Sequence, residues 1–305
     1  MTESGEMPFA IHRSRTHEER TGTCHHHTAK ESIGNEISLD ALAAPVNTES
    51  LMQRGRASAV LALALTLLCL SRQGDRGTPI PHSRMDTLPR LTVWAWERPT
   101  DLRNIDPATT AVAYLARTVW VRESVSVMPR RQPLILPVDS RLRLIPVTRF
   151  EMLPNARLDD ATAQMAADAV AATLQTGSPA IQIDFDARLS ERAWYRKVLV
   201  DVRRELPATV PLSITALASW CSSDRWMQGL PVDEAVPMYF RMEPDRRHAP
   251  ASLDDFRIRE PLCARSVGVS TTEPWPDWSA GRRVYVFSDR GWHTDSVESV
   301  ARRVE

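Results

Sequence analysis

Asp184 and Asp186 flank Phe185 within the run 181–187, where apolar and polar residues alternate. With a period of two, Ile181, Ile183 and Phe185 face one side, and Gln182, Asp184 and Asp186 the other. Two carboxylates on one face of a strand stand roughly 7 Å apart. They are costly to hold there unless water, a cation or a substrate meets them. At that range each disfavours ionisation of the other, so one of the pair is expected to keep its proton near neutral pH. A protonated acid beside a charged carboxylate is the equipment of glycosidic bond cleavage.

Strands must hold such a pair, and the chain has eight candidates: 91–97, 112–121, 141–151, 180–186, 211–217, 234–241, 265–270 and 283–288. Each is rich in Val, Ile, Leu or aromatics and bounded by Pro, Gly, Asp or Ser. Helical patterns fall between several of them. Residues 159–175 open on an Asp cap, and 190–206 place Trp194, Val198, Val202 and Leu206 four apart before Pro207. A short turn is expected over 223–229, and 294–304 put Val297, Val300 and Val304 on one face. This alternation predicts an α/β fold, an irregular (β/α)8 TIM-like barrel over 91–305. The connections 122–140 and 271–281 show no helix, so the barrel should be trimmed. An open doubly wound sheet is the rival, but no glycine-rich phosphate loop supports it in a chain with 11 glycines.

In such barrels the pocket forms where strands end. The first strand ends in Trp94, Trp96 and Glu97, and the third in Arg149 and Glu151 on one face. The fourth gives the Asp184–Asp186 pair, the fifth Thr215, Ser219 and Trp220, the sixth Tyr239 and Arg241. The seventh runs into Thr272, Glu273 and Trp275. Singly, each reads as readily as packing or as a structural ion pair. Together they supply carboxylates from several strands, arginines beside them and aromatics able to stack on sugar faces. A divalent ion on Asp184 and Asp186 is a further reading, weakened by the lack of clustered histidines. No metal or other cofactor is expected.

Five ordered blocks resemble a bacterial family known only as a domain of unknown function, DUF thirty-one forty-two. They are 93–99, from Val93 through Trp96 to Pro99; 181–187; 211–221, from Pro211 to Cys221; 232–238, from Val232 to Met238; and 268–275, from Gly268 to Trp275. The resemblance spans roughly 91–292 and implies a barrel related to glycoside hydrolases, without an assigned activity. A weaker similarity is to chitinase-type barrels, whose fourth strand carries Asp-x-Asp-x-Glu. Asp184 and Asp186 match that motif, but Arg188 stands where the acid glutamate belongs. A third layout pairs a carboxylate after strand four with one after strand seven. On that analogy Asp186 is the acid/base, tuned by Asp184, and Glu273 the nucleophile or water activator. Their separation, ~5 Å or wider, would distinguish retaining from inverting chemistry. Trp94, Trp96, Trp220 and Trp275 would stack on sugar rings, while Arg149, Glu151, Tyr239 and Arg241 orient substrate or catalytic groups. The alternative is a barrel that binds a glycan or cell-envelope polymer without turnover, which Arg188 favours.

The 305 residues carry 38 basic and 38 acidic groups, a balance that gives no support for nucleic acid as a partner. Only Lys30 and Lys197 are lysine, an arginine excess read as coding bias. Residues 1–51 are polar, without apolar periodicity, and read as a disordered extension upstream of the natural start; Cys24 and His25 to His27 lack a second ligand pair for zinc. Arg54 and Arg56 precede an apolar run over 57–70, the pattern of a signal peptide or short anchor at 52–72, followed by a linker at 73–90. Export to the periplasm or beyond is expected, with membrane contact confined to this segment; lipidation at Cys69 lacks the small residue before it. Cys221 and Cys263 are then a disulfide or two buried thiols.

Overall fold

The computed structural model of the chain describes residues 83–240, 257–292 and 294–304. The extension, the signal segment, Cys69 and Arg241 lie outside the described residues, as does most of the linker. Among the described residues no helix is long and apolar enough to cross a membrane.

The described residues form eleven strands: β1 (Leu91–Ala95), β2 (Thr100–Asp101), β3 (Thr110–Val121), β4 (Val125–Pro129), β5 (Leu134–Ile135), β6 (Leu144–Met152), β7 (Ile181–Asp184), β8 (Leu212–Leu217), β9 (Glu234–Met238), β10 (Ser266–Ser270) and β11 (Arg283–Phe287). The main sheet runs β1-β11-β10-β9-β8-β7-β6-β3-β4, and a further β1–β3 pairing closes it. Eight parallel strands therefore form a barrel, each where the alternating pattern places it. β4 adds to β3 as an antiparallel hairpin, and β5 pairs with β2, so the helix-free connection 122–140 is filled by strands.

Outside the barrel lie α1 (Asp160–Ala171), α2 (Arg192–Glu205), α3 (Ala218–Ser222) and α4 (Thr294–Val304). The Asp159 carboxylate caps α1 by accepting from the Thr162 N–H at 2.9 Å. The turn expected over 223–229 is preceded by α3, which starts directly at the end of β8. Connection 271–281 holds only a 3-10 turn at Asp277–Ser279.

Strand parity divides the core in two. Val93, Ile183, Phe185, Ile214, Val269 and Val286 point outward and pack with Trp194, Val198 and Val202 of α2. Met85, Trp94, Ala113, Ile145, Val147, Val236 and Tyr285 fill the lumen. Polar lumen residues form one connected chain. Arg283 Nη1 donates to Glu234 Oε1 at 2.5 Å, and Tyr285 and Ser213 hydroxyls donate to Glu234 Oε2 at 2.9 and 3.4 Å. Gln182 bridges from Ser213 (3.1 Å) to the Trp94 indole N–H (2.7 Å). These bonds make the burial tolerable, although Arg283 Nε is left without a partner among the described residues. Residues 83–90, within the stretch read as linker, carry a 3-10 helix at Arg84–Thr87 that puts Met85 in the lumen. Arg84 pairs with Asp233 at 2.7 Å and Asp86 with Arg265 at 2.9 Å. This segment packs at the amino-terminal end of the barrel, opposite the mouth formed by the strand tips.

Candidate active site at the barrel mouth

Arg149 and Asp184 are register partners on β6 and β7, the third and fourth barrel strands. Arg149 Nη1 donates to Asp184 Oδ2 at 3.1 Å, and its Nε donates to Glu151 Oε1 at 2.5 Å. The other Asp184 oxygen accepts from the Thr215 hydroxyl of β8 at 2.8 Å. Both oxygens of this buried carboxylate are thus satisfied. Burial works against the Arg149 charge, but Asp184 and Glu151, with Asp186 beyond, outweigh it and push its pKa upward.

Asp186 stands one step further up the same face. Among the described residues it makes no hydrogen bond or ion pair, and its side chain reaches solvent. Protein nevertheless surrounds most of it. That crowding, then the negative charge of Asp184, pushes its carboxyl up to about 7; Glu151 adds to the rise and Arg149 opposes it. Behind this wall the aromatic rings of Phe150, Phe185, Trp194 and Tyr195 pack edge to face, with Phe185 and Tyr195 at 5.0 Å, fixing β6 and β7 from outside. The Tyr195 hydroxyl is buried without a partner among the described residues; burial, then the Asp184 and Asp186 charges, holds it well above the usual phenol range.

The opposite wall is apolar. Trp96, Phe240 and Phe287 are half-buried around the lumen top, with Phe240 stacked on Phe287 at 5.6 Å and Trp96 edge-on to it at 6.5 Å. Arg130 fixes the β1 end beneath Trp96, donating to the carbonyls of Ala95, Trp96 and Arg98 at 3.1, 2.5 and 2.7 Å. An acidic wall facing an aromatic one suits a polyol with apolar ring faces.

Several aromatic expectations need correcting. Trp94 is 3% exposed and lies across the lumen beneath the mouth, its N–H taken by Gln182 and its ring 5.3 Å from Tyr285. Trp220, at 1% exposed, packs edge-on to Trp226 in the outer core, because α3 turns away from the mouth as soon as β8 ends. Tyr239 is one residue out of phase with the inward Met238, so it is buried outside against Trp278. Trp275 gives its N–H to the Ser270 carbonyl at 2.9 Å and carries the Arg303 guanidinium 4.0 Å from its ring centre, so that face is taken. Trp96 alone of the four tryptophans is at the rim. Glu273 is half-buried on the turn after β10, three strands round from Asp186. That turn is pinned by Asp289, which accepts from Ser270 and Thr272 hydroxyls at 2.9 and 2.7 Å. Arg188 is exposed, with its backbone N–H donating to Glu191 at 2.7 Å.

Reading the chain alone overlooks Phe240, Phe287, Asp289 and Trp120. Strict alternation from Glu234 and from Arg283 would find the first three. Trp120 pairs in register with Glu151 and shares its inward face. A bulge between Leu115 and Arg117 shifts the phase of β3 there, and nothing in the residue pattern announces it. A separate pocket of about 200 Å³ lies between 101–110 and α4, lined by Ile105, Asp106, Val297 and Glu298. It sits beside the start of β3, away from the strand tips, where barrels place chemistry.

The fold is a closed eight-stranded parallel barrel, open at the carboxyl ends of its strands. No family model matches the chain, and no curated protein does. Among solved structures it is similar to the spore cortex-lytic enzyme SleL of Bacillus cereus, with 19% identity over 48% of this chain and a TM-score of 0.35. The chain spans 41% of that enzyme. The putative chitinase A of Streptomyces coelicolor gives 11% identity and a TM-score of 0.44, covering 70% of this chain and 97% of that one. The chitinase domain of the Clostridium difficile spore coat protein CotE gives 12% and 0.34, covering 75% and 64%. Likenesses this distant leave the functional reading to the mouth itself.

Proposed function

We propose that the chain is a glycoside hydrolase-like protein acting on a polysaccharide, with Asp186 as the proton donor to the leaving oxygen. The observation that carries this is the division among the carboxylates. Asp184 and Glu151 are bonded to Arg149, whereas Asp186 stands unbonded at an open mouth with its pKa raised. Carboxyls whose surroundings differ in this way are suited to separate acid and base roles. Thr215 and Arg149 hold Asp184, which in turn keeps Asp186 protonated. Trp96, Phe240 and Phe287 would take the apolar face of a sugar ring. Export fits the signal-like segment 52–72 and the Cys221–Cys263 disulfide, since such bonds persist in oxidising compartments. Membership of the domain-of-unknown-function family stands as part of the same proposal.

A cell-envelope polymer is the substrate class this location favours. The second reading, binding without turnover, is favoured by Arg188 in the place of a chitinase acid. The purified chain and its Asp186→Asn variant, incubated with chitin, chitosan, peptidoglycan, cellulose and xylan, separate the two. The hydrolase reading expects reducing ends from at least one polymer, lowered roughly 10²–10⁴-fold in the variant. Equal binding by both proteins with no release from any polymer selects the binding reading.

A further inference from the structure

We propose that Glu151 is the second catalytic carboxylate, the nucleophile of a retaining mechanism in which Asp186 is the acid/base. This rests on the hydrolase reading above and deepens it. Glu151 and Asp186 each follow the register pair Arg149 and Asp184 by two residues, Glu151 still within β6 and Asp186 just past the end of the adjacent β7, close enough that the Glu151 charge acts on Asp186. Neighbouring strands run about 4.8 Å apart, close to the ~5–5.5 Å that separates nucleophile and acid/base in retaining glycosidases.

The surroundings of the two groups match the two roles. Glu151 meets Arg149 Nε at 2.5 Å, which fixes one oxygen, and its side chain is 42% exposed, so the carboxylate is open to a substrate. Asp186 lacks any such bond among the described residues. Trp120, the register partner of Glu151 on β3, puts an aromatic side chain beside the reacting centre. Glu273 is separated from Asp186 by β8 and β9, whereas β6 and β7 are adjacent.

In the first step a Glu151 oxygen attacks the anomeric carbon and the glycosidic C–O bond breaks. Its electron pair leaves on the departing oxygen, which takes the Asp186 proton. In the second step Asp186, now a carboxylate, removes a proton from water, whose oxygen attacks the same carbon. The ester bond breaks and its electrons return to Glu151. One water is consumed and the anomeric configuration is retained.

The test uses Glu151→Ala, Asp186→Ala and Glu273→Gln, each first shown to be folded by circular dichroism and a cooperative melt. They are assayed on the polymer that wild type degrades and on dinitrophenyl glycosides of its sugar, with and without azide. Glu151→Ala should lose roughly a thousandfold in turnover. Azide should restore it, giving a glycosyl azide of the opposite anomeric configuration, an effect that a merely structural role does not produce. Azide on Asp186→Ala should give the azide of unchanged configuration, and Glu273→Gln should lose far less turnover than Glu151→Ala. Turnover that needs Asp186 but survives Glu151→Ala, or a wild-type product of inverted configuration, overturns the assignment alone. No turnover by wild type on any substrate overturns the hydrolase reading with it.

Discussion

Arg149 reaches Asp184 across the third and fourth barrel strands at 3.1 Å while holding Glu151 of its own strand at 2.5 Å. One cation thus serves two carboxylates and leaves the third, Asp186, without a bonded partner among the described residues.

Replacing Arg149 by Met should destabilise the chain by about 2 kcal/mol. Asp184 would then be buried with Thr215 as its remaining partner, and Arg149 is itself about a third exposed, which moderates the loss. Because Arg149 also lowers the Asp186 pKa, the variant should carry that group's titration to higher pH. Urea unfolding and a carboxyl NMR titration measure the two effects separately.

Asp186 links stability to pH. Its folded pKa, about 7, lies above the ordinary 3.8, so the folded chain keeps a proton that the unfolded chain gives up. That contribution is complete below about 4 and fades as pH rises through about 7. Asp186→Asn removes the dependence. Its melting temperature should gain on wild type between those pH values, whereas parallel curves would mean that Asp186 titrates normally.

Trp96 and Trp275 should behave differently despite similar positions near strand ends. Trp96→Ala removes a rim ring and should weaken polysaccharide binding by about 0.5–1.5 kcal/mol, seen as retarded mobility lost in affinity gels. Trp275→Ala removes a ring already covered by Arg303, so it should leave binding unchanged and lower the melting temperature instead.

Gly268 leaves room for Trp94. A methyl group there would sit 2.8 Å from Trp94 Cη2 and 3.1 Å from Cζ3, within a lumen that has no slack. Gly268→Ala should cost about 1–3 kcal/mol by overpacking, measurable by denaturant unfolding.

The barrel was legible because its eight strands carry dense β-branched runs with clear breakers, and burial of both faces reinforces that signal. The acidic wall was legible too, since Asp184 and Asp186 alternate with Ile183 and Phe185, and Arg149 and Glu151 flank Phe150. The aromatic wall was not. Whether a tryptophan at a strand end faces mouth, lumen or outer core depends on a single residue of phase and on the turn that follows. On β9 and its extension Phe240 has the inward phase and Tyr239 the outward one. Trp94 has the inward phase but sits one layer too deep, and Trp220 is carried outward by α3. Trp120 depends on the bulge in β3, which only the paired strands reveal. The Cys221–Cys263 pairing, open in the sequence, is formed with the two Cα atoms 5.8 Å apart.

The pH dependence of reducing-end release, measured for wild type and Asp186→Asn on the most readily degraded polymer, tests the central claim most directly. We expect wild-type release to fall as pH rises through about 7, where Asp186 loses its proton, and the variant to show neither that limb nor appreciable turnover. Release that persists undiminished in Asp186→Asn, with the same pH profile, would contradict the assignment of Asp186 as the acid.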